Sequence, residues 1–182
     1  MINIIKFYSK VRELKSTMRR GWQYHSVGGD ESVADHIFGV SLLTLVLSDL
    51  NDSSLDTCKC LRLALSHDLC ECIIGDVIPH DNIPIETKHN MERNAMEELC
   101  SLLDSPSIID LWHEFEFGNS AEAKLVRDID IIETLFEAYS REIEFSISDN
   151  RLQEFWDAAD ENLSTDTGRQ LLRIILDMRS NT

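Results

Sequence analysis

The sequence predicts an all-α domain. Apolar residues recur at the three- and four-residue intervals of a helix, period-two alternation is almost absent, and hydroxyl residues stand at cap positions before several of the apolar runs. With 182 residues, 43% of them apolar and 27% charged, the chain has the make-up of one soluble globular domain, spanning 1–182, with length enough for a real core. Six to eight helices are expected, with no repeat, low-complexity run or linker between them.

Residues 3–18 carry Ile4, Tyr8, Val11, Leu14 and Met18 at helical spacing, and Arg19-Arg20-Gly21 reads as the stop. Residues 22–30 read as loop, with Gly28-Gly29 its flexible point. Ser32-Val-Ala-Asp35 has the form of a capping box and opens a helix to about Leu50, with Val33, Ile37, Val40, Leu43 and Leu47 as its stripe. Asn51-Asp-Ser-Ser54 is a turn and cap, and a central helix follows over 55–74. Gly75 breaks it, and 76–84 is an irregular loop with Pro79 and Pro84. Residues 85–103 form a helix whose polar side includes Lys88, His89 and Glu92, with Lys88 and Glu92 spaced as a surface pair. Ser105-Pro106 caps a short aromatic helix that Gly118 ends. Ser120 starts a long helix to about Glu144, with Leu125, Ile129, Ile132, Leu135, Phe136 and Tyr139 apolar and Asp128 and Asp130 among them. Helices over 149–162 and 166–179, with no obvious chemistry, complete the domain; the motifs lie in about 5–140.

The chemistry centres on 65–76. His67, Asp68, Glu71 and Asp76 interrupt an apolar run, and buried charge is costly unless paired or bound to a metal. On a helix His67 and Glu71 share a face, as do Asp68 and Glu71. Two neighbours such as His67 and Asp68 can converge on one ion, or they can simply pair with each other. A metal needs three or four ligands, and separate helices offer His36 and Asp130. Taken alone, His36 reads as a hydrogen-bonded helix residue and Asp130 as a solvated edge. Together the four are a nitrogen and oxygen set suited to a divalent first-row metal. Such an ion lowers the pKa of bound water from 15.7 towards ~7 and holds a phosphoryl oxygen. Glu71 and Asp76 can then position or deprotonate water, protonate the leaving oxygen, or hold a second ion. Arg19 or Arg20 can clamp a phosphate and Trp22 can pack on a sugar or base; the bland alternative makes the arginines helix-end cations and Trp22 core. His80, His89 and His113 read as solvated or packing residues.

A formal charge of −16 with no Lys/Arg run excludes a general binder of nucleic acid polymers, though not a small phosphate, because a bound cation reverses the local field. The five cysteines, Cys58, Cys60, Cys70, Cys72 and Cys100, include no Cys-x-x-Cys pair and read as free thiols of a reducing compartment. No signal peptide and no span of about 20 apolar residues is evident. The expectation is a cytoplasmic protein off the membrane.

The order His36, His67-Asp68, Asp130 matches the H…HD…D pattern of the HD-domain metal-dependent phosphohydrolases. Arg-x-Gly-Trp at 19–22, Glu-Ser-Val-Ala-Asp-His at 31–36, His-Asp-x-x-Glu-Cys-Ile-x-Gly-Asp at 67–76, Asp-Asn-Ile-Pro at 81–84 and Ser-Ala-Glu-Ala-Lys at 120–124 resemble its 5′-deoxynucleotidase branch. The resemblance implies an all-helical HD domain, a homodimer, and hydrolysis of deoxyribonucleoside 5′-monophosphates to deoxynucleoside and phosphate. It implies His36, His67, Asp68 and Asp130 as ligands of a divalent cation (Mn, Co, Mg, Zn, Fe or Ni). Glu71 and Asp76 would be catalytic or hold a second ion. Arg19, Arg20, Trp22, Asp76 and Val77 would contact substrate, the Arg-x-Gly-Trp spacing favouring Arg19 for the phosphate. The chain departs from the branch at His25, often Arg, and at Asp30, often Pro, which leaves substrate preference more open than the metal site. Other HD-type substrates (a cyclic nucleotide, a guanosine polyphosphate, another phosphomonoester) and a non-catalytic interaction protein are the alternatives. An HD-fold oxygenase would need further histidines, for which the spacing of His80 and His89 gives no warrant.

Overall fold

In the computed structural model, which describes residues 1–51, 55–103, 105–147 and 149–181, helices follow one another with no strand among the described residues. They are α1 (Ile2–Val11), α2 (Arg20–Tyr24), α3 (Val33–Asn51), α4 (Thr57–Ser66), α5 (Glu71–Ile74), α6 (Ile85–Leu103), α7 (Ser107–Phe117), α8 (Ala121–Glu144), α9 (Gln153–Asn162) and α10 (Asp166–Ser180). Short 3₁₀ turns occupy Arg12–Lys15, Pro79–Asp81 and Asn150–Leu152. The expected all-α class holds. The turn expected over 51–54 falls largely outside the described residues.

α8 is the axis, with α3, α4, α7, α9 and α10 packed on it. Its Val126 and Ile129 join Val40, Leu63 and Phe115 in one apolar cluster. Its Ile132 and Leu135 join Trp22, Leu152, Trp156 and Leu172 in another. A third cluster, with Leu14, Ile37, Met96, Leu99 and Trp112, lies under α1, α3, α6 and α7. The carboxylates of α8 therefore emerge between two cores.

Two expected helices are each divided. Over 3–18 the helix stops because the Ser16 and Thr17 hydroxyls both donate to the Glu13 carbonyl, each at 3.0 Å, which satisfies the last turn locally. α1 buries no residue, and of its expected stripe only Leu14, in the 3₁₀ turn, is fully buried. Met18 then pairs with Ser32 in an isolated antiparallel bridge, which draws Arg19 alongside Glu31. Gly21, expected as the stop, instead lies inside α2, as does Trp22. Nor are Gly28 and Gly29 a free hinge: the buried Arg141 donates to both their carbonyls. The second division falls over 55–74, at His67, and shapes the site.

Ser32 and Asp35 form the expected capping box: Asp35 accepts from the Ser32 amide at 2.9 Å and Ser32 Oγ accepts from the Asp35 amide at 3.2 Å. α3 buries Val33, Ile37 and Val40, but then turns Thr44 and Ser48 inward and leaves Leu43 and Leu47 only half-buried. Its outer face exposes Phe38, Leu42, Leu45 and Val46. The stretch Val33–Leu50 is long and apolar enough to cross a membrane by length and composition, which the sequence reading did not anticipate. It carries core residues and a buried histidine, as a core helix does.

Asp128 is buried by structural duty. Its carboxylate accepts from the backbone and hydroxyl of both Ser164 and Thr165 and so ties the α9–α10 corner to α8. Asp128→Ala strands those donors and should destabilise the fold by about 2–4 kcal/mol, read as a lower urea midpoint at unchanged slope.

Candidate active site

α4 ends at Ser66 because side chains take its terminal carbonyls. Ser66 Oγ donates to Arg62 O at 2.8 Å, and His67 Nδ1 donates to Ala64 O at 2.7 Å. The chain then tightens into bonds between residues three apart, Glu71 N to Asp68 O and Cys72 N to Leu69 O. His67 and Asp68 thus sit on a turn, not on the continuous helix expected there, and the turn points both side chains at one place. Gly75 closes the segment at φ 77, a conformation that favours glycine.

Four groups meet at that place. His67 Nε2 lies 3.3 Å from His36 Nε2. Asp130 Oδ1 is 3.0 Å from His36 Nε2, and Asp68 Oδ2 is 3.2 Å from His67 Nε2 and 3.8 Å from His36 Nε2. Each histidine uses Nδ1 elsewhere: His36 donates to Glu133 Oε2 at 2.6 Å, His67 to Ala64 O. Those bonds fix the neutral tautomer in which both Nε2 lone pairs face inward. With both imidazoles neutral, two lone pairs and two carboxylate oxygens converge on one point and call for a positive charge between them, which is the chemistry of a cation site. His36, His67 and Asp130 lie close enough to share one ion, and Asp68 adds a fourth oxygen.

The electrostatics agree. Burial opposes ionisation of Asp68 and Asp130, but the surrounding His67, His36 and, for Asp68, Arg19 hold both carboxyls below their usual range. Burial and Arg19 oppose a charge on His36, yet Asp130 and Glu133 raise it to about 9. The pocket thus draws positive charge to these nitrogens, a proton in the metal-free protein or a metal ion in its place.

The remaining expected residues fall on both sides of the line. Arg19, Trp22, Asp68, Glu71, Asp76, Val77 and Asp130 line one cavity of 930 Å³, a volume suited to a small-molecule ligand. Glu71 is pushed up to about 10 by burial and by the charges of Asp68 and Asp76, and its Oε2 is buried without a partner. Arg19 donates to Thr134 Oγ1 at 2.9 Å; burial works against its charge, and Asp68, Asp76 and Asp130 outweigh it. Arg20, expected as a substrate contact, is not among the residues that line this cavity. Its guanidinium forks onto Asp81 at 2.5 and 2.7 Å and its amide donates to Asp76 Oδ2 at 2.5 Å, so it holds the 76–81 loop. Trp22 lines the cavity yet is almost fully buried, its indole donating to Glu31 and its ring lying under Arg141. Asp30 is exposed, and His25 lines the cavity against Glu154. His113 is exposed, as its surface reading expected.

Sequence reasoning missed several residues. Glu133 orients His36 and lies one helical turn beyond Asp130, a spacing that could have exposed it. Lys88 and Glu92 are no surface pair: Glu92 is buried, 3.2 Å from Lys88 Nζ, and Lys88 lines the cavity. Glu92 falls in register with Ala95, Met96 and Leu99, the signal that it faces inward. Of the two last helices, both expected to carry no chemistry, α9 walls the cavity through Glu154, Phe155 and Asn162, with Ser164 beyond it, whereas no residue of α10 is among the lining.

An all-helical domain whose His and Asp side chains converge from α3, the 67–70 turn and α8 is a member of the HD-domain family, whose model matches residues 11–169; the chain belongs to that family. Among its relatives is "5′-deoxynucleotidase HDDC2" of Danio rerio, 40% identical over 159 residues that make up 86% of this chain and 78% of that one. "5′-deoxynucleotidase hdd1" of Schizosaccharomyces pombe is 36% identical over 162 residues, 85% of this chain and 80% of that one. In three dimensions the chain is similar to the PH0347 protein of Pyrococcus horikoshii OT3, with a TM-score of 0.81 and 31% identity over 98% of this chain and 99% of that chain.

Proposed function

We propose that this protein is a divalent-metal-dependent 5′-deoxynucleotidase, hydrolysing deoxyribonucleoside 5′-monophosphates to deoxynucleoside and phosphate. The observation that carries the reading is the convergence of His36 Nε2, His67 Nε2, Asp68 and Asp130 on one point, with both Nδ1 atoms engaged elsewhere. These four would hold the cation. When bound, it activates water and offsets charge on the phosphoryl group. The names of the relatives supply the substrate class.

The chain's own residues do the rest. A chain with a formal charge of −16 gathers Arg19, Lys88, Lys124 and Arg127 around this cavity. Arg127 is held on the Phe115 and Gly118 carbonyls and Lys88 is paired with Glu92, which leaves Arg19 and Lys124 to receive the phosphate. Asp76, set by the Arg20 amide, orients the attacking water or shares a second ion with Glu71. In the first case Glu71 keeps its proton in a buried setting and gives it to the departing 5′ oxygen as the P–O bond breaks. Trp22 and Val77 wall the sugar side. We assign the whole of 1–182 to one domain, with α9 completing the cavity wall and α10 packed on α8.

Phosphate release from dAMP and AMP, side by side, after metal stripping and re-addition of Mn, Co, Mg or Zn singly, tests the reading. Metal-dependent release from dAMP with little from AMP is expected. Equal release removes the sugar selectivity, and release from neither sends the site to another phosphate ester.

We further infer a homodimer through the outer face of α3. Phe38, Leu42, Leu45 and Val46 form one exposed apolar stripe, with Phe136 also exposed on the neighbouring α8. A second copy covers such a stripe, and a membrane need not. Leu42→Glu should halve the mass measured by light scattering; an unchanged mass removes this interface. All five cysteines are free, in keeping with a cytoplasmic protein.

A further inference from the structure

We propose that His25, His80 and Glu154 form a second metal site, separate from the His36–His67–Asp130 centre, that takes one divalent transition-metal ion at the open side of the cavity. The two imidazoles arrive from different segments, His25 at the C-terminus of α2 and His80 in the Pro79–Asp81 turn, and Glu154 comes from α9. His25 Nε2 lies 2.7 Å and His80 Nε2 2.9 Å from the same oxygen, Glu154 Oε1, and His80 Nε2 lies 3.1 Å from Oε2. Ligand atoms bound to one zinc ion at about 2.0–2.1 Å stand about 3.3 Å apart in a tetrahedron. The two nitrogen–oxygen distances reach that spacing by opening about 0.4–0.6 Å, and the ligand atoms of all three residues already lie within 4.8 Å of one another.

The ligands are held in place before any ion arrives. His80 stacks face to face on Tyr24, ring centres 3.7 Å apart and planes 12° apart. His25 stands edge-on to Tyr24 and Phe155 at 5.1 and 5.4 Å. The Arg20–Asp81 fork locks the turn that carries His80 to α2. Preorganised imidazoles with rings buttressed by neighbours are what a metal site requires and what an incidental surface pair lacks. A further acidic cluster with a histidine that shares no residue with the His36 centre, His89–Glu92–Glu116, differs on this point. Lys88 already supplies its positive charge, 3.2 Å from Glu92, and His89 stands 4.0 Å from Glu116.

Two imidazole nitrogens and one carboxylate select zinc, cobalt, nickel or copper over magnesium or calcium. Three protein ligands leave a coordination position open towards the cavity. An ion here bridges α9 to the loop behind Asp76, so that its occupancy fastens the cavity rim across three elements.

The test is zinc stoichiometry on untagged full-length protein in excess magnesium, by elemental analysis after gel filtration, for wild type, His80→Ala, Glu154→Gln and His67→Ala. His80→Ala and Glu154→Gln should each bind one equivalent fewer than wild type, and His67→Ala should retain that equivalent. Cobalt substitution gives an independent reading: a visible absorption band that His80→Ala lacks and His67→Ala keeps. Both His80 and Glu154 are partly exposed, and far-UV circular dichroism establishes that the variants are folded. If folded His80→Ala and Glu154→Gln bind as much zinc as wild type, or if the loss appears in His67→Ala alone, the site does not exist. Either result leaves the catalytic reading untouched, because the two sites share no residue.

Discussion

His67→Ala is expected to cost the protein its resident cation and, with it, about three orders of magnitude in phosphate release. Its Nε2 is one of two inward lone pairs, 3.3 Å from that of His36 and 3.2 Å from Asp68. Alanine removes that ligand and also frees the Ala64 carbonyl that the ring now engages. A metal contributes several kcal/mol to stabilising the transition state, and every 1.36 kcal/mol is tenfold in rate, so about 4 kcal/mol gives a thousandfold loss. Metal content and dAMP turnover should fall together. Glu133→Gln provides the graded comparison. It leaves every ligand in place but weakens the bond that orients His36, for which a 10- to 100-fold loss of metal affinity is typical. A His67→Ala protein that retains both ion and turnover would sink the assignment of this centre.

The helical class was legible because it rests on local signals; the four side chains that converge here were singled out by local signals only in part, and as a set by the resemblance to the H…HD…D pattern. Periodicity marked α6 and α8, the Ser32–Asp35 box marked the start of α3, and carboxylates inside apolar runs marked Asp68 and Asp130. What escaped was set by partners distant in sequence. Arg19 and Arg20 are adjacent, and only the Arg-x-Gly-Trp spacing of the resemblance favoured Arg19; what separates them physically is Asp81 and Asp76, brought back by the loop after Gly75, which engage Arg20 and leave Arg19 on the cavity. Asp128 and Asp130 look alike on α8, but a two-residue step places one on the α9–α10 corner and the other on the histidines. The break at His67 was hidden because its cause is side-chain capture of carbonyls, a choice made at Ser66 and His67 that an apolar pattern does not report. α9 was overlooked because residues that wall a cavity resemble those of any amphipathic helix.

Glu71→Gln should lower kcat by about two to four orders of magnitude, the usual worth of a positioned proton donor, while leaving metal content unchanged. The amide keeps the shape of the carboxyl and has no proton to give. In the metal-free protein burial and the charges of Asp68 and Asp76 raise this carboxyl from 4.5 to about 10. A cation on the neighbouring ligands favours its ionised form and lowers that value. The wild-type rate therefore falls on an alkaline limb that lies below about pH 10, as Glu71 loses the proton it must donate, and the glutamine variant should lack that limb. Stability gives a second readout whose sign follows from linkage. The folded metal-free protein holds a proton on Glu71 that the unfolded chain releases above about pH 4.5, so this group's contribution is complete below that pH. It is lost progressively as pH rises through the folded value near 10. Glutamine removes the loss, and metal-free Glu71→Gln should melt at a higher temperature than metal-free wild type at pH 8–9, with a flatter dependence on pH. An alkaline limb that persists unchanged in Glu71→Gln would move the proton donor to another group and leave Glu71 to the second role its position allows, a ligand shared with Asp76.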